Sequence, residues 1–387
     1  MITVLADDLT GAAEITGICL RYGLEVAFGI DTLPEKVAPI TIVATDSRSM
    51  TENQAFEIHR RLAEKVLTKK ENQIIFKKCD SALRGYVLTE LVALLEATGK
   101  NSVLLQPANP VGNRCIRTGS YFINDILITE TGFEVDPDFP AQTSSVQQLL
   151  LNRTSRISNP EKIHLGNIQS INSDGFYIPD CNSETDLANA VELFNEKMII
   201  GGSAAFFEQF LLKQFPSLVK REPKKYRFSD RYLLISGSTQ PESIQFAKEL
   251  QEKNCPVAVF PEPLLKKDSN DSELAAWTEE LISIYSKNKK LALRVSDSII
   301  QFESSSKILK NRMSLVVQQL LEHSNINELF IEGGATAYDV LQKLNWKSFT
   351  PVAELALGVV RMQYDLDPKK HITLKPGSYK WPENLLQ

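Results

Sequence analysis

Short apolar runs alternate with longer helical patterns along the whole chain. The runs are rich in β-branched residues, and in the first third of the chain they predict strands at residues 2–6, 40–45, 74–77 and 103–106. Apolar side chains at helical spacing predict helices at residues 51–66 and 88–97. Strands and helices that alternate in this way form βαβ units, whose strands lie parallel in one sheet. The sequence therefore predicts the α/β class.

A charged segment at residues 220–225 separates two such series. Segments that are poor in apolar side chains are typical of domain boundaries, and 387 residues are enough for two domains. We predict domains at residues 1–219 and 228–387, each with a mainly parallel sheet flanked by helices. Residues 107–140 are rich in Pro, Gly, Asn and Asp, and we predict that they form long ordered loops.

Composition limits the partners of the chain. A net charge of −5 argues against nucleic acid as a partner, and the sequence has neither a polybasic patch nor an apolar stretch long enough to span a membrane. We therefore expect a cytoplasmic protein that binds small molecules, and the sequence leaves a homodimer possible. The five cysteines are widely spaced and are predicted to be reduced and mostly buried. The four isolated histidines argue against a histidine metal site or a Ser-His-Asp triad.

Two adjacent carboxylates, Asp7 and Asp8, follow the first predicted strand and precede a glycine turn at Gly11. Open α/β sheets bind their ligands at the carboxyl ends of the strands. Paired carboxylates can accept a proton from a hydroxyl, hold a divalent cation or accept hydrogen bonds from a polyol. The alternative is that both residues only cap the following helix.

A second polar cluster, at residues 77–85, also follows a predicted strand. Ser81 and Arg84 would share a sheet edge with Asp7 and Asp8 if the two strands are neighbours. An arginine fork binds a carboxylate through two parallel hydrogen bonds, which a lysine cannot reproduce. Together these groups predict a pocket for a sugar acid. The alternative is that Arg84 pairs with a structural aspartate.

Glycine-rich turns are concentrated in the second half, where they follow predicted strands. Two of them, at residues 236–239 and 332–336, also precede helical patterns, so their backbone N–H groups could bind a phosphate. The third turn, at residues 375–377, ends in a glycine that permits close approach of the backbone. None matches a Walker A or Rossmann fingerprint, but their co-occurrence favours a nucleotide site.

The residues of these clusters resemble motifs of the four-carbon acid sugar kinase family. Residues 6–12, ADDLTGA, resemble the family's ADDxTGA opening, and residues 77–86, KKCDSALRGY, resemble its KKxDSTLRGN segment. Further resemblances occur in family order at Asp46-Ser47-Arg48, 107–110 with Arg114, 130–137, 202–204, 333–336 and 375–377. The resemblance therefore covers nearly the whole chain.

The resemblance implies a sugar-acid-binding N-terminal domain, a nucleotide-binding C-terminal domain and an active site in the cleft between them. The implied activity is ATP-dependent phosphorylation of threonate, erythronate or 3-oxo-tetronate on a hydroxyl, commonly the terminal one. We expect Mg2+ as well as ATP, because phosphoryl transfer depends on neutralising phosphate charge. Asp8, helped by Asp7, is the expected general base or metal holder. The expected substrate-binding residues are Lys78, Asp80, Ser81, Arg84, Gly85 and Arg114. The expected ATP-binding residues are Ser236, Gly237, Ser238, Gly333, Gly334, Ala335, Thr336 and Gly377.

The chain also departs from the family pattern. Ala82 and Tyr86 replace the usual Thr and Asn, and Asn109 replaces an aromatic residue, changes that could alter substrate choice. Ala335 stands where an acidic residue is common, which could weaken nucleotide or metal binding, and Ser378-Tyr379 replaces a Gly-Phe pair. Ala335 keeps a second hypothesis open, in which the chain is a non-catalytic sensor that binds sugar acids and nucleotides.

Overall fold

A computed structural model describes residues 1–69, 73–157, 159–222, 226–265, 271–296, 305–377, 379–382 and 385. Internal contacts divide the chain into two units, Met1–Arg221 and Glu222–Gln387. Both units combine parallel strands with helices, so the predicted α/β class is confirmed. The predicted linker residues 223–225 and the departure at Ser378 lie outside the described residues.

The first unit is built on a parallel sheet of eight strands, in the order β2-β3-β1-β4-β11-β5-β10-β9. A separate antiparallel sheet contains β6, β7 and β8. The strands of this unit are β1 Ile2–Ala6, β2 Val26–Ile30, β3 Ile40–Ala44, β4 Ile74–Lys78, β5 Ser102–Gln106, β6 Arg114–Arg117, β7 Ser120–Ile123, β8 Ile126–Leu127, β9 Ile163–Gly166, β10 Gly175–Pro179 and β11 Met198–Gly202. Its helices are α1 Leu9–Arg21, α2 Glu52–Lys69, α3 Val87–Thr98, α4 Val146–Leu151, α5 Glu184–Glu192 and α6 Ala204–Gln214.

The second unit has a mixed sheet in the order β13-β14-β12-β15-β18-β17-β16. The five strands from β13 to β18 in this order pair in parallel, whereas β17 is antiparallel to both of its neighbours. The strands are β12 Tyr232–Ser236, β13 Val257–Val259, β14 Lys290–Arg294, β15 Glu328–Glu332, β16 Ser348–Ala356, β17 Val359–Tyr364 and β18 His371–Lys375. The helices are α7 Pro241–Glu252, α8 Asp271–Asn288, α9 Ser305–His323 and α10 Gly334–Lys343.

The core of the first unit lies between the central strands and the helices. All five residues of β1 are buried, as expected for a parallel strand covered on both faces. Phe76 on β4 packs on α6, where its ring centroid lies 5.0 Å from that of Phe207 and 5.9 Å from that of Phe210. Such aromatic packing anchors β4, whose carboxyl end carries the second polar cluster.

The prediction of long loops at residues 107–140 was incomplete, because the small antiparallel sheet lies there. Two-residue turns join its strands, and both central residues of each turn have positive φ. These residues are Thr118 with Gly119 and Asn124 with Asp125. Turns of this kind match the twist of a hairpin. The strands that they join have only two to four residues, which is too short to show an apolar alternation.

Two other predictions from composition can be compared with the structure. All five cysteines are buried and unpaired with one another, which confirms the predicted thiols. Among the described helices, none combines the length and the apolar character that crossing a membrane would require.

Replacing Phe76 with Ala should lower the free energy of unfolding by about 3–5 kcal/mol, because it removes a fully buried ring and leaves a cavity. Urea unfolding followed by circular dichroism measures this change. Val37→Ala is the control, since Val37 is apolar but exposed and should cost less than about 0.5 kcal/mol. Equal effects of the two substitutions would contradict this account of the core.

Candidate active site

Three neighbouring strands bring the polar clusters of the first unit to one sheet edge. Strand β1 lies between β3 and β4, and Ala6 is in register with both Ala44 and Lys78. The loops that follow these three strands therefore begin side by side. The condition on which the sequence prediction depended, that β1 and β4 are neighbours, is met.

Arg48, in the loop after β3, joins the carboxylates of this edge. Its Nε donates to Asp7 Oδ2 at 2.8 Å, and its Nη2 donates to Asp7 Oδ1 at 3.1 Å and to Asp8 Oδ1 at 3.0 Å. Its Nη1 lies 3.7 Å from Asp80 Oδ1. One guanidinium thus contacts side chains from the ends of two other strands.

The charges of this cluster stabilise the ionised form of Asp7. Burial alone would raise the pKa of this carboxyl, but the positive charges of Arg48 and Lys77 outweigh it and lower the pKa to about 2. Burial likewise opposes the ionisation of Asp80, and Arg48 with Arg84 reverses that effect and holds its pKa well below the usual range. Both aspartates are therefore anions at neutral pH.

Asp7 and Asp8 differ in their access to solvent. The Asp7 side chain is 1% exposed, whereas that of Asp8 is 16% exposed. Asp8 also caps α1, because its Oδ1 accepts from Gly11 N at 2.9 Å and its Oδ2 accepts from the Thr10 hydroxyl. The capping alternative thus describes Asp8 correctly, yet the same carboxylate remains accessible to a ligand. Asp7 is an internal anchor.

Lys78 supplies a second cation beside these carboxylates. Its Nζ donates to Cys79 O at 2.9 Å and lies 3.9 Å from Glu14 Oε2. Burial lowers the pKa of Lys78, but the negative charges of Glu14, Asp7 and Asp8 reverse that effect, so the pKa is raised and the ammonium stays charged. A Cβ at position 11 would lie 2.6 Å from Asp8 Oδ1 and 3.1 Å from Lys78 Nζ, which explains the glycine there.

The neighbouring Lys77 belongs to a fully buried ion pair. Successive side chains of a strand point to opposite faces, so Lys77 and Lys78 serve different purposes. Lys77 Nζ lies 2.9 Å from Glu90 Oε2 on α3, and Glu90 Oε1 accepts from Ser47 Oγ at 2.5 Å. Glu90 thus ties both β4 and the loop that carries Arg48 to α3.

Arg84 is held by a carboxylate of the protein itself. Its Nε donates to Asp80 Oδ2 at 2.8 Å and its Nη2 donates to Asp80 Oδ1 at 3.1 Å. Its Nη1 faces Asp136 Oδ2 at 3.5 Å. Arg84 therefore pairs with a structural aspartate, as the alternative interpretation predicts. Contact with a substrate is a separate role, which this pairing does not exclude.

Ser81 and Arg114 lie next to Arg84. Arg114 Nη1 donates to the Ser81 hydroxyl, and the Phe133 ring lies against both guanidinium groups. Gly85 has a φ of +90° and a Cβ there would be 3.3 Å from Arg48 Cγ, so its backbone and the packing of Arg48 favour glycine. The predicted substrate-binding residues thus form one group with Asp7 and Asp8.

Residues at which the chain departs from the family pattern have structural roles in the same unit. Asn109 Oδ1 accepts from Gly112 N at 3.2 Å and closes a turn, a role that an aromatic side chain cannot fill. The Tyr86 ring packs edge-on against Phe139 with centroids 5.3 Å apart. Ala82 is buried, and its N donates to Asp80 Oδ2 at 3.2 Å.

In the second unit, a buried ion pair lies under the glycine turns. Lys375 Nζ is 2.7 Å from Glu332 Oε1, and the Ser236 hydroxyl donates to Glu332 Oε2 at 2.8 Å. The Ser238 hydroxyl donates to Gly377 O at 3.5 Å, and Gly333 N donates to Lys375 O at 2.9 Å. The three turns predicted to contact a nucleotide are therefore adjacent.

The glycines of these turns have different physical reasons. A Cβ on Gly237 would lie 1.9 Å from Thr336 Oγ1, so Gly237 is required by packing within the protein. Gly333 has a φ of +99°, and a Cβ there would meet nothing closer than 3.7 Å. Gly333 precedes α10 and provides no side-chain cap, so the first amides of α10 have no side-chain partner from that residue. Gly334 is half-buried and Ala335 is exposed at this end of the helix.

Sequence reasoning missed Arg48 as a site residue, although the segment that contains it was noted. Its signal is weak, because a single arginine after a strand resembles any surface cation until the strand order is known. Glu90 was missed for a related reason, since it lies in a helix whose buried face is otherwise mostly apolar and packs in the core. In both cases the partner is remote in sequence.

The described residues contain no group of three or more His, Cys, Asp or Glu side chains arranged to hold a metal ion. Mg2+ in phosphate chemistry is commonly bound by one or two carboxylates together with phosphate oxygens and water. The partly exposed carboxylate of Asp8 fits that requirement without a protein cage.

Replacing Arg48 with Gln should lower stability by about 3–5 kcal/mol at pH 7, because it leaves buried carboxylates without their cation. The pKa of Asp7 is lower in the folded state than the 3.8 of a free aspartyl group. The wild type therefore loses stability as the pH falls from about 4 toward about 2. In the variant the pKa of Asp7 rises, so the stability difference should shrink at pH 3. Urea unfolding at both pH values tests this, and a difference that is independent of pH would contradict it.

Comparison with known proteins also divides the chain into an N-terminal and a C-terminal part. A family profile described as Sugar-binding N-terminal domain matches residues 2–210, and one described as Nucleotide-binding C-terminal domain matches residues 233–379. A D-threonate kinase of Salmonella typhimurium is 23% identical, over 91% of this chain and 88% of its own. A 3-oxo-tetronate kinase of Haemophilus influenzae is 23% identical, over 98% of this chain and 97% of its own.

A solved structure from Salmonella typhimurium LT2 has the same fold. It aligns with a TM-score of 0.77 at 20% identity, covering 98% of this chain and 96% of its own. The first profile alone covers more than half of the chain, and the second follows it in the expected order. With its sugar-binding N-terminal and nucleotide-binding C-terminal domains, the chain belongs to the four-carbon acid sugar kinase family.

Proposed function

We propose that this protein is an ATP-dependent kinase that phosphorylates a four-carbon sugar acid. The substrate is of the threonate, erythronate or 3-oxo-tetronate type, and the acceptor is an alcohol group, the terminal hydroxyl. The observation that carries the proposal is the cluster at the edge of β1, β3 and β4, where an accessible carboxylate lies beside arginine and lysine side chains. The names of the relatives support the same substrate class.

Asp8 is the residue proposed to act on the substrate hydroxyl. Its carboxylate is fixed by Gly11 N, Thr10 and Arg48, so it is presented in one orientation. A general base must lie within hydrogen-bond reach of the proton that it accepts, and a carboxylate held in this way meets that requirement with little loss of entropy. Asp7 contributes indirectly, because it positions Arg48.

The cations beside Asp8 are proposed to offset the negative charge of the reactants. The substrate carboxylate and the phosphates of ATP are both negative, so transfer between them requires positive groups nearby. Lys78, Arg84 and Arg114 provide such groups in the first unit. Asp80 and Ser81 orient the two arginines.

The second unit is proposed to bind ATP. Its turns at residues 236–238, 333–336 and 377 are adjacent, and Gly333 has a φ of +99° that a residue with a side chain rarely adopts. Backbone amides at the start of α10 suit a phosphate because the positive end of the helix dipole lies there. Mg2+ bound to the phosphates would neutralise charge during transfer.

The second candidate is a sensor that binds both ligands without turnover. The supporting observation is Ala335, which is exposed and stands where an acidic residue is common in the family. Incubation with ATP, Mg2+ and a panel of four-carbon acids, followed by coupled detection of ADP, separates the two. ADP release that depends on one acid supports the kinase. Calorimetric binding of acid and nucleotide without ADP release supports the sensor.

Asp8→Asn should lower kcat by about 100-fold or more while leaving the KM for ATP nearly unchanged. Asn is as good a helix cap as Asp, so α1 should remain intact and the loss should reflect the chemistry. Ser183→Ala is the matched control, because it removes the cap of α5 elsewhere in the same unit. Steady-state kinetics of both variants give the answer, and near-normal turnover in a folded Asp8→Asn protein would remove Asp8 from the mechanism.

Gly334→Val should raise the KM for ATP more than the KM for the acid, because it puts a branched side chain where backbone would approach phosphate. The control is Ala275→Val, at an exposed position of α8 in the same unit. The ratio of the two KM values, measured with each substrate varied in turn, is the readout. A selective rise in the KM for the acid would place the nucleotide elsewhere.

A further inference from the structure

We propose that Arg114, carried by the small antiparallel sheet, binds the substrate carboxylate, and that Arg84 is a positioning residue that holds Asp80. This inference rests on the proposed function and assigns separate roles to the two arginines of the acid pocket.

The hydrogen bonds of Arg84 leave little of its guanidinium for a ligand. The side edge formed by Nε and Nη2 is taken up by both oxygens of Asp80, at 2.8 and 3.1 Å. The remaining Nη1 faces Asp136 at 3.5 Å. A substrate carboxylate could gain the side edge only by displacing Asp80, whose pKa is strongly lowered by Arg48 and Arg84. Arg84 therefore already has the type of partner that it would offer to the substrate.

Arg114 has a different environment. Among the described residues, its guanidinium makes one hydrogen bond, from Nη1 to the neutral hydroxyl of Ser81. An arginine has five N–H donors, so most of those of Arg114 have no acceptor in the part of the chain that the structure describes. The side chain is half-buried and pairs with no carboxylate within 4 Å in the described part of the chain. A ligand carboxylate would satisfy these donors.

The surroundings of Arg114 fix its position before a ligand arrives. Its backbone N and O exchange hydrogen bonds with Asn109 at 3.0 and 2.8 Å, and β7 pairs with the same strand. The Tyr121 hydroxyl donates to Ser81 O and so orients the residue that Arg114 contacts. The Phe133 ring lies 5.6 Å from Arg114 Cζ and covers one side of the guanidinium. Such preorganisation reduces the entropy lost on binding.

The geometry therefore divides the acid pocket into two parts. Asp80 and Arg84 form a closed pair that contacts Arg48 and through it the Asp7–Asp8 edge. Arg114 and Ser81 form the open part. The small sheet carries Arg114 on β6 and contacts Ser81 through Tyr121 on β7. Loss of Arg84 should disturb the reacting end for any substrate, whereas loss of Arg114 should matter only for a substrate with a carboxylate.

The test compares kcat/KM for threonate with kcat/KM for the neutral polyol threitol. Arg114→Lys should lower this acid-over-polyol ratio by about 10-fold, and Arg114→Ala by about 100-fold, since the fork and then the charge are lost. Arg84→Lys should slow both substrates together and leave the ratio within about threefold. Arg117→Ala is the matched control, because Arg117 ends the same strand but binds Asn182 and Asp125. Methylguanidine should restore part of the acid turnover of Arg114→Ala and should leave that of Arg117→Ala unchanged.

The inference is overturned if Arg114→Ala keeps the wild-type ratio, or if Arg84→Lys loses the ratio while Arg114→Lys keeps it. Calorimetric titration of threonate without ATP gives a readout that needs no turnover, and threonate affinity should fall by about 10-fold or more in Arg114→Ala. A wild type that binds threonate but phosphorylates no acid would refute the kinase and leave this inference to the titration. A wild type that shows neither turnover nor binding refutes both.

Discussion

The arrangement of the first unit depends on one guanidinium. Asp7, Asp8 and Asp80 follow two adjacent strands, and three carboxylates that converge from parallel strand ends would repel one another in a poorly hydrated site. Arg48 contacts all three from the loop after β3. Without it, the carboxylates would have to take up protons or move apart. The parallel strand order therefore requires the charge of Arg48.

The second unit solves a similar problem with a lysine. Glu332 ends β15 and is almost fully buried, and it is neutralised by Lys375 at the end of the neighbouring strand β18. Two serine hydroxyls, Ser236 and Ser243, complete its hydrogen bonds. Breaking a buried pair of this kind is costly because an unpaired charge remains. In both units, a cation at or just after the end of one strand fixes an acidic group at or just after the end of another.

The sequence predicted the parts of the structure whose signals are local. Strand β1 was predicted at its observed bounds because its apolar run is continuous, and the polar residues that follow it could be recognised as site candidates. The small sheet was not predicted because its strands have only two to four residues. The β16–β17 pair was not predicted because its sequence pattern was not recognised as different from that of its surroundings. The role of Arg48 depends on strand order, which local patterns do not contain.

The double use of Asp8 has a consequence for how the site can be observed. Its carboxylate accepts from the amide of Gly11 while it remains open to a ligand. Any ligand or proton that withdraws electron density from this carboxylate weakens its bond to that amide. The rate of hydrogen exchange at the Gly11 amide should then change when a ligand occupies the site. The first turn of α1 therefore reports on what Asp8 contacts.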